Sequence, residues 1–246
     1  MAWYAYCITE QQAFQGNTRA RRPFLIEHLT GIHGSKVFGY PSGDFAVIVS
    51  EYLAARQLDQ NSVVEHAKVV SGCFGRTTVL PFRFGTIFDS DEALRRAVRA
   101  NRKQFLNTVA KLRGKAEMHL KVVVKDGFLR EIGDDAVLPN AVGGAYLASL
   151  REQASRERER QTKARSLSTQ MHKLFHPLEE EVSCKKNGIG LMLDIAHLID
   201  HKSIEIYQNR FNSHAAQIKG CEIVLSGPWP PYHFMPNKLR TVNGNS

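Results

Sequence analysis

Ten histidines and one run of three glutamates are the residues of this 246-residue chain best equipped for proton or metal chemistry, and their spacing decides whether they can do it. His172 and His176 stand four apart in a stretch of helical periodicity, which puts two imidazoles on one face. Lys173 follows His172 where the helix of a zinc hydrolase carries its glutamate, so that pattern is missing. His197 and His201 share the spacing, but the first closes a strand-like run and the second opens a helix. Glu179, Glu180 and Glu181 have no second acidic cluster with which to build an oxygen cage. Cys7, Cys73, Cys184 and Cys221 include no CxxC pair and suit thiols in a reducing compartment. "KNGIG" at 186–190 reads as a turn between strands rather than a phosphate loop opening a helix, and no serine has nucleophile-elbow flanks. These patterns predict no catalytic residue, no cofactor, no metal and no small-molecule substrate.

Two segments gather rings on stiff backbone instead. In "VLPFRFGT", Pro81 ends regular pairing, Gly85 allows a tight bend, and Arg83 stands between Phe82 and Phe84. A guanidinium so placed can stack on a ring or clamp a carboxylate, with Glu117 as the nearest mate in the pattern, or it can meet a partner. In "SGPWPPYHF", Pro228, Pro230 and Pro231 lack backbone donors, so the stretch is expected to leave its sheet as a polyproline-like arm. Trp229 is then expected to pack on the C-terminal lobe, with Tyr232 and Phe234 either sealing the junction between the lobes or standing at its rim, opposite residues 82–84 in an aromatic groove. Phe82, Arg83, Phe84, Trp229, Tyr232 and Phe234 are the candidate partner-binding residues. A net charge of +9 raises a different reading, an RNA-binding ferredoxin-like module that uses basic and aromatic residues. The densest basic patches are "RARR" at 19–22 and "RRAVRANRK" at 95–103, where Arg95, Arg99 and Arg102 share a helical face. A charged stripe opposite an apolar one also describes the solvated side of an ordinary amphipathic helix. "FRFGTIF" has rings but not the glycine and arginine placement of an RNA-recognition motif.

The elements that must position these segments follow from periodicity. "AWYAYCIT" reads as a first strand, and "KVFGYPSGDFAVIVSE" as two strands around Pro41 to Asp44. A helix opens at Asn61 or Ser62, residues 77–88 form a strand broken by Pro81 and Gly85, and a single helix spans 90–112 with Leu94, Val98, Phe105, Val109 and Leu112 as its stripe. In "KAEMHLKVVVKD" the period of two marks a strand with one face on a core. A long helix over 145–176 follows, with Leu147, Leu150, Ala154, Ala164, Leu167, Met171 and Leu174 on its apolar face and a charged middle that projects beyond its sheet. Two strands, a helix and the strand "CEIVL" complete a β-α-β-β-α-β order. The expected fold is α+β in two lobes. Residues 1–114 form a modified ferredoxin-like sandwich, 115–228 a ferredoxin-like domain, and 229–246 a proline and aromatic arm with a polar tail. No apolar run approaches the roughly 20 residues that span a bilayer, so a cytoplasmic protein is expected.

"VLPFRFGTIF" followed by an amphipathic helix and "KAEMHLKVVV", together with the closing "SGPWPPYHF", resembles the two signature blocks of the gas vesicle protein GvpF/GvpL family. "WYAYCIT", "VVEHAKVV" and "LMLDIAHLIDHKSIEIYQNRF" are similar to further family segments, so the resemblance runs from about residue 2 to 234. It implies a two-domain α+β accessory protein of gas vesicles. Such a protein would be needed for their assembly, would associate with the small shell protein of GvpA type and with other accessory proteins, and would have no catalytic role. The tail "MPNKLRTVNGNS" and the strongly charged central helix depart from the family pattern.

Overall fold

Strand β1 (Ala2–Glu10) is buried from Trp3 to Thr9, on both faces, because it lies inside its sheet with helices on either side. The protein is described here by a computed structural model over residues 1–15, 22–53, 57–125, 142–187 and 190–236. Two compact units emerge, Met1–Ala116 together with Trp229–Ser246, and Glu117–Pro228.

In the first unit, a short helical turn α1 (Gln12–Gln15) is followed by β2 (Phe24–Thr30), β3 (Lys36–Ser42) and β4 (Phe45–Tyr52). After helix α2 (Gln60–Phe74) come β5 (Val79–Pro81) and β6 (Ile87–Phe88), then α3 (Asp91–Ala100) and α4 (Arg102–Leu112). The sheet order is β2-β3-β4-β1-β5, with β6 also paired to β1. Tyr4 and Tyr6 pack with Ile48, Val69, Val70 and Cys73 in a core under α2. On the opposite face Trp3 reaches Asp91 of α3, and Phe45 meets Phe105 of α4 edge-on at 5.9 Å.

Three local features differ from the sequence reading. The α2 cap is Asp59, whose carboxylate accepts the Ser62 N–H at 2.8 Å while the Ser62 hydroxyl accepts the Asp59 N–H, a reciprocal capping box that makes Ser62 the third helical residue. The helix expected over 90–112 is two helices. Asn101 leaves helical geometry at φ −104°, ψ 7°, and its amide donates to the Ala97 carbonyl at 2.9 Å. Strand β2 is an additional edge that the reading passes over.

In the second unit β7 (Lys115–Lys125) is followed by α5 (Val142–Phe175), the hairpin β8 (Glu179–Asn187) and β9 (Gly190–Asp200), α6 (Ile204–His214) and β10 (Cys221–Trp229). The order β10-β7-β9-β8 places the first strand between the third and the fourth, the interleaving of a split βαβ unit. Met118, Leu120, Val122 and Val124 of β7 supply alternate positions to a core with Leu191, Leu193 and Ile195 of β9. Helix α5 joins that core through Ala164, Leu167, Met171 and Phe175. Its Leu150 and Ala154, read as core positions, are exposed, so packing starts one turn or more later than the apolar stripe suggests. On α6, Tyr207 is buried and Ile204, Phe211 and Ile218 pack partly, whereas His214 is exposed.

Candidate partner-binding surface

The first ring-bearing segment is a loop between two short strands that share one neighbour. Pro81 pairs with Cys7 and Phe88 with Trp3, so the chain leaves β1 after residue 81 and returns at 87. Phe82 makes a last bond to the Tyr6 carbonyl at 2.9 Å, and its ring is buried against Phe88 at 6.0 Å. The turn closes when the Thr86 amide and hydroxyl both donate to the Arg83 carbonyl, at 3.1 and 2.7 Å. Gly85 supplies the φ of +83° that a side chain would resist.

Beneath this loop sits a buried polar network. The Gly85 N–H donates to the Tyr4 hydroxyl at 3.2 Å, and that hydroxyl lies 2.9 Å from Nδ1 of His66. Tyr6, beside them, bonds Ser50 and accepts the Ile32 N–H at 2.8 Å. Burial pushes the Tyr4 phenol up to about 12 despite the Gly85 bond. Burial also holds the His66 imidazole down to about 4 against a weaker pull from the Phe82 backbone, so both groups are neutral at pH 7. The Phe84 ring lies edge-on to Tyr4 at 6.3 Å and to His66 at 5.9 Å, leaving 40% of the residue exposed. Arg83 is exposed, while Glu117, its expected mate, is buried.

The second segment departs from expectation in two ways. Strand β10 does not stop at Leu225 but continues through Pro228 to Trp229. An edge strand tolerates a proline because one side of its backbone needs no partner in the sheet. At Gly227 a Cβ would lie 2.9 Å from the Glu117 carbonyl, so only glycine allows β10 to run this close to β7. The rings also differ from the reading in exposure. Trp229, expected to pack, is 44% exposed, while Phe234 is buried at 7%. Tyr232, at 39%, stands out on a turn in which its N–H donates to the Pro230 carbonyl at 2.8 Å. Of the six candidate residues, Arg83, Phe84, Trp229 and Tyr232 are therefore surface, and Phe82 and Phe234 are support. Both segments from Phe82 and from Trp229 onward belong to the first compact unit.

Two further clusters went unnoticed in the sequence. In the first unit Asp91 accepts from Trp3 Nε1 at 2.8 Å and from the Tyr40 hydroxyl at 2.5 Å, which lowers its carboxyl below the usual range. Arg95 donates to Tyr40 at 2.9 Å, and Arg102 pairs with Asp44. Two of the three arginines expected to share one helical face are thus committed to neighbours, and the break at Asn101 puts them on different helices. In the second unit fully buried His197 bridges the Tyr207 hydroxyl at 2.7 Å and Glu180 at 2.8 Å, and Glu180 also accepts from Ser168. His172 lies 3.6 Å from the same carboxylate. Phe175 stacks on Tyr207 at 4.4 Å. Both clusters join residues far apart in sequence, which is why spacing gave no signal of them. No group of three or more metal-ligating side chains converges among the described residues. No helix among them is long and apolar enough to cross a membrane.

The family model of gas vesicle synthesis protein GvpL/GvpF matches residues 2–236. The chain belongs to this GvpL/GvpF family. Gas vesicle protein L of Streptomyces sp. (strain CB03234) is 26% identical over 229 residues, covering 86% of this chain and 82% of that relative. Among solved structures, the GvpF of Anabaena sp. PCC7120 superposes with a TM-score of 0.73 at 18% identity, covering 96% of this chain and 99% of the other. The GvpF of Microcystis aeruginosa gives 0.71 at 17% identity with the same coverage. At such identities these structures establish a shared α+β fold with two sheets. Membership rests on the family match.

Proposed function

We propose that this protein is a gas vesicle accessory protein that binds the small GvpA-type shell protein and other accessory subunits in the cytoplasm and supports vesicle assembly. The observation that carries this reading is the match to the GvpL/GvpF family along nearly the whole chain. The surface supports it. A shell subunit made to assemble into a gas-filled wall exposes apolar area beforehand, and aromatic rings with polar tips suit such area. Trp229 and Tyr232 present rings of this kind, Phe84 adds a wholly apolar one, and Arg83 places a cation beside it. The loop carrying Arg83 and Phe84 is held from below by neutral, buried groups, so little ordering cost is left for binding.

The test is affinity capture with the tagged protein from cells expressing a complete vesicle gene set. Shell and accessory proteins are expected in the captured fraction, and cells lacking this protein are expected to float poorly. Capture without shell or accessory proteins, combined with normal vesicles in the deletion strain, would sink the reading.

A further inference from the structure

Strand β8 is the end of the second sheet, with β9 on one side and, among the described residues, no strand on the other. Side chains from Glu181 to Lys185 are exposed. Open edges are usually protected by a proline, a bulge or a scatter of charge. In β8 there is no proline and the charges are sorted, with Glu179, Glu180 and Glu181 at one end, Lys185 and Lys186 at the other, and Val182, Ser183 and Cys184 between them. A strand sorted in this way repels a parallel copy of itself and complements an antiparallel one.

The backbone selects the register. Asn187 pairs with Gly190 across a two-residue connection, the position at which a tight hairpin exchanges its closing backbone bonds. Counting back in twos, the odd-numbered residues of β8 bond β9, and at the far end the carbonyl of Leu198, the residue opposite Glu179, faces β8, where it accepts the Leu178 N–H at 2.8 Å. Glu180, Val182, Cys184 and Lys186 then direct their backbone groups outward, so an antiparallel mate must pair even positions with even. A two-fold axis at Ser183 meets this condition, setting Val182 opposite Cys184 and Glu180 opposite Lys186. It also sets Glu181 opposite Lys185, twice by symmetry, at non-hydrogen-bonded positions where facing side chains come closest. Moving the axis to Val182 keeps only a Glu179–Lys185 match, and moving it to Cys184 keeps none. Glu180 is already bound to His197 inside the unit, so selection falls on Glu181 and Lys185.

We propose that β8 pairs antiparallel with β8 of a second copy of this chain about an axis at Ser183, joining two four-stranded sheets into one of eight strands. This does not depend on the shell-binding reading, because β8 carries none of the four exposed candidate residues.

Sedimentation equilibrium of the full chain across a wide concentration range tests it. The wild type is expected to dimerise reversibly and more weakly at high salt. Lys185→Glu or Glu181→Lys alone is expected to weaken association by about tenfold or more, and the charge-swapped pair Glu181→Lys with Lys185→Glu to restore it. Both sites are exposed, so all these variants should melt like the wild type. Independently of charge, Ser183→Cys in a Cys184→Ser chain is expected to form an intermolecular disulfide under mild oxidation, since the residue faces its own copy across the axis. A chain monomeric at every concentration, single reversals that associate like wild type, or a swapped pair that fails to recover would each overturn the proposal. An intact dimer with lost shell capture would count against the preceding section alone.

Discussion

The Tyr4 hydroxyl accepts the backbone N–H of Gly85 and lies 2.9 Å from Nδ1 of His66, so one oxygen joins the first strand, helix α2 and the exposed loop. Tyr4→Phe leaves a buried ring nitrogen and a loop amide without this partner. The expected loss is about 1–3 kcal/mol, measured by urea denaturation. A midpoint equal to wild type would show that the loop is held in some other way.

Acid should loosen the first unit through the same histidine. Burial lowers His66 to about 4 in the fold, while an unfolded imidazole titrates near 6.5. Because the folded value is the lower one, the unfolded chain binds the proton first. Stability is then full above about pH 6.5 and falls as pH drops toward 4, by on the order of 3 kcal/mol from this group. His197, also lowered mainly by burial, pushes in the same direction. Melting followed between pH 7 and 4.5 should decline less steeply in His66→Gln than in wild type. Parallel curves for the two proteins would remove His66 as the cause.

The rings should separate into two classes on substitution. Phe82→Ala and Phe234→Ala empty buried volume and are expected to cost about 3–5 kcal/mol each. Phe84→Ala combined with Trp229→Ala and Tyr232→Ala removes half-exposed rings, which should cost less stability per ring and weaken shell-protein capture. Thermal melting and a quantitative binding assay, run on the same preparations, distinguish the classes. Unchanged capture by the folded triple variant would move the binding surface elsewhere.

In the second unit, Glu180→Ala removes the acceptor of buried His197 and the partner of Ser168. A loss of about 1.5–3 kcal/mol is expected, as for other hydrogen bonds to a charged group, and chemical denaturation would measure it. Glu181→Ala, one position along and exposed, should change stability by less than about 0.5 kcal/mol.

Much of this architecture could be read from alternation and punctuation, and the exceptions have physical causes. The period of two in "KAEMHLKVVVKD" identified β7 because one of its faces meets a core, and Pro81 and Gly85 marked the break in the strand. The stripe from Leu94 to Leu112 was real, but a side-chain amide choosing the Ala97 carbonyl broke the helix at Asn101 without disturbing the stripe. Ring composition singled out two ring-bearing segments, yet it did not give the exposure of Trp229 or the burial of Phe234. Which ring is covered depends on what packs over it, and no local pattern encodes that. The Tyr4–His66 and Glu180–His197 networks were illegible for the same reason, since each is closed by residues at least 17 positions apart.

The place of β1 has a consequence for synthesis. Its nine residues are synthesised before all three of their neighbours, β4, β5 and β6, the last ending at Phe88. Until that point has emerged, Trp3, Tyr4, Tyr6 and Ile8 belong to an unsatisfied apolar strand. This nascent interval, rather than the finished protein, is when the first unit is most exposed to mispairing and most in need of a chaperone.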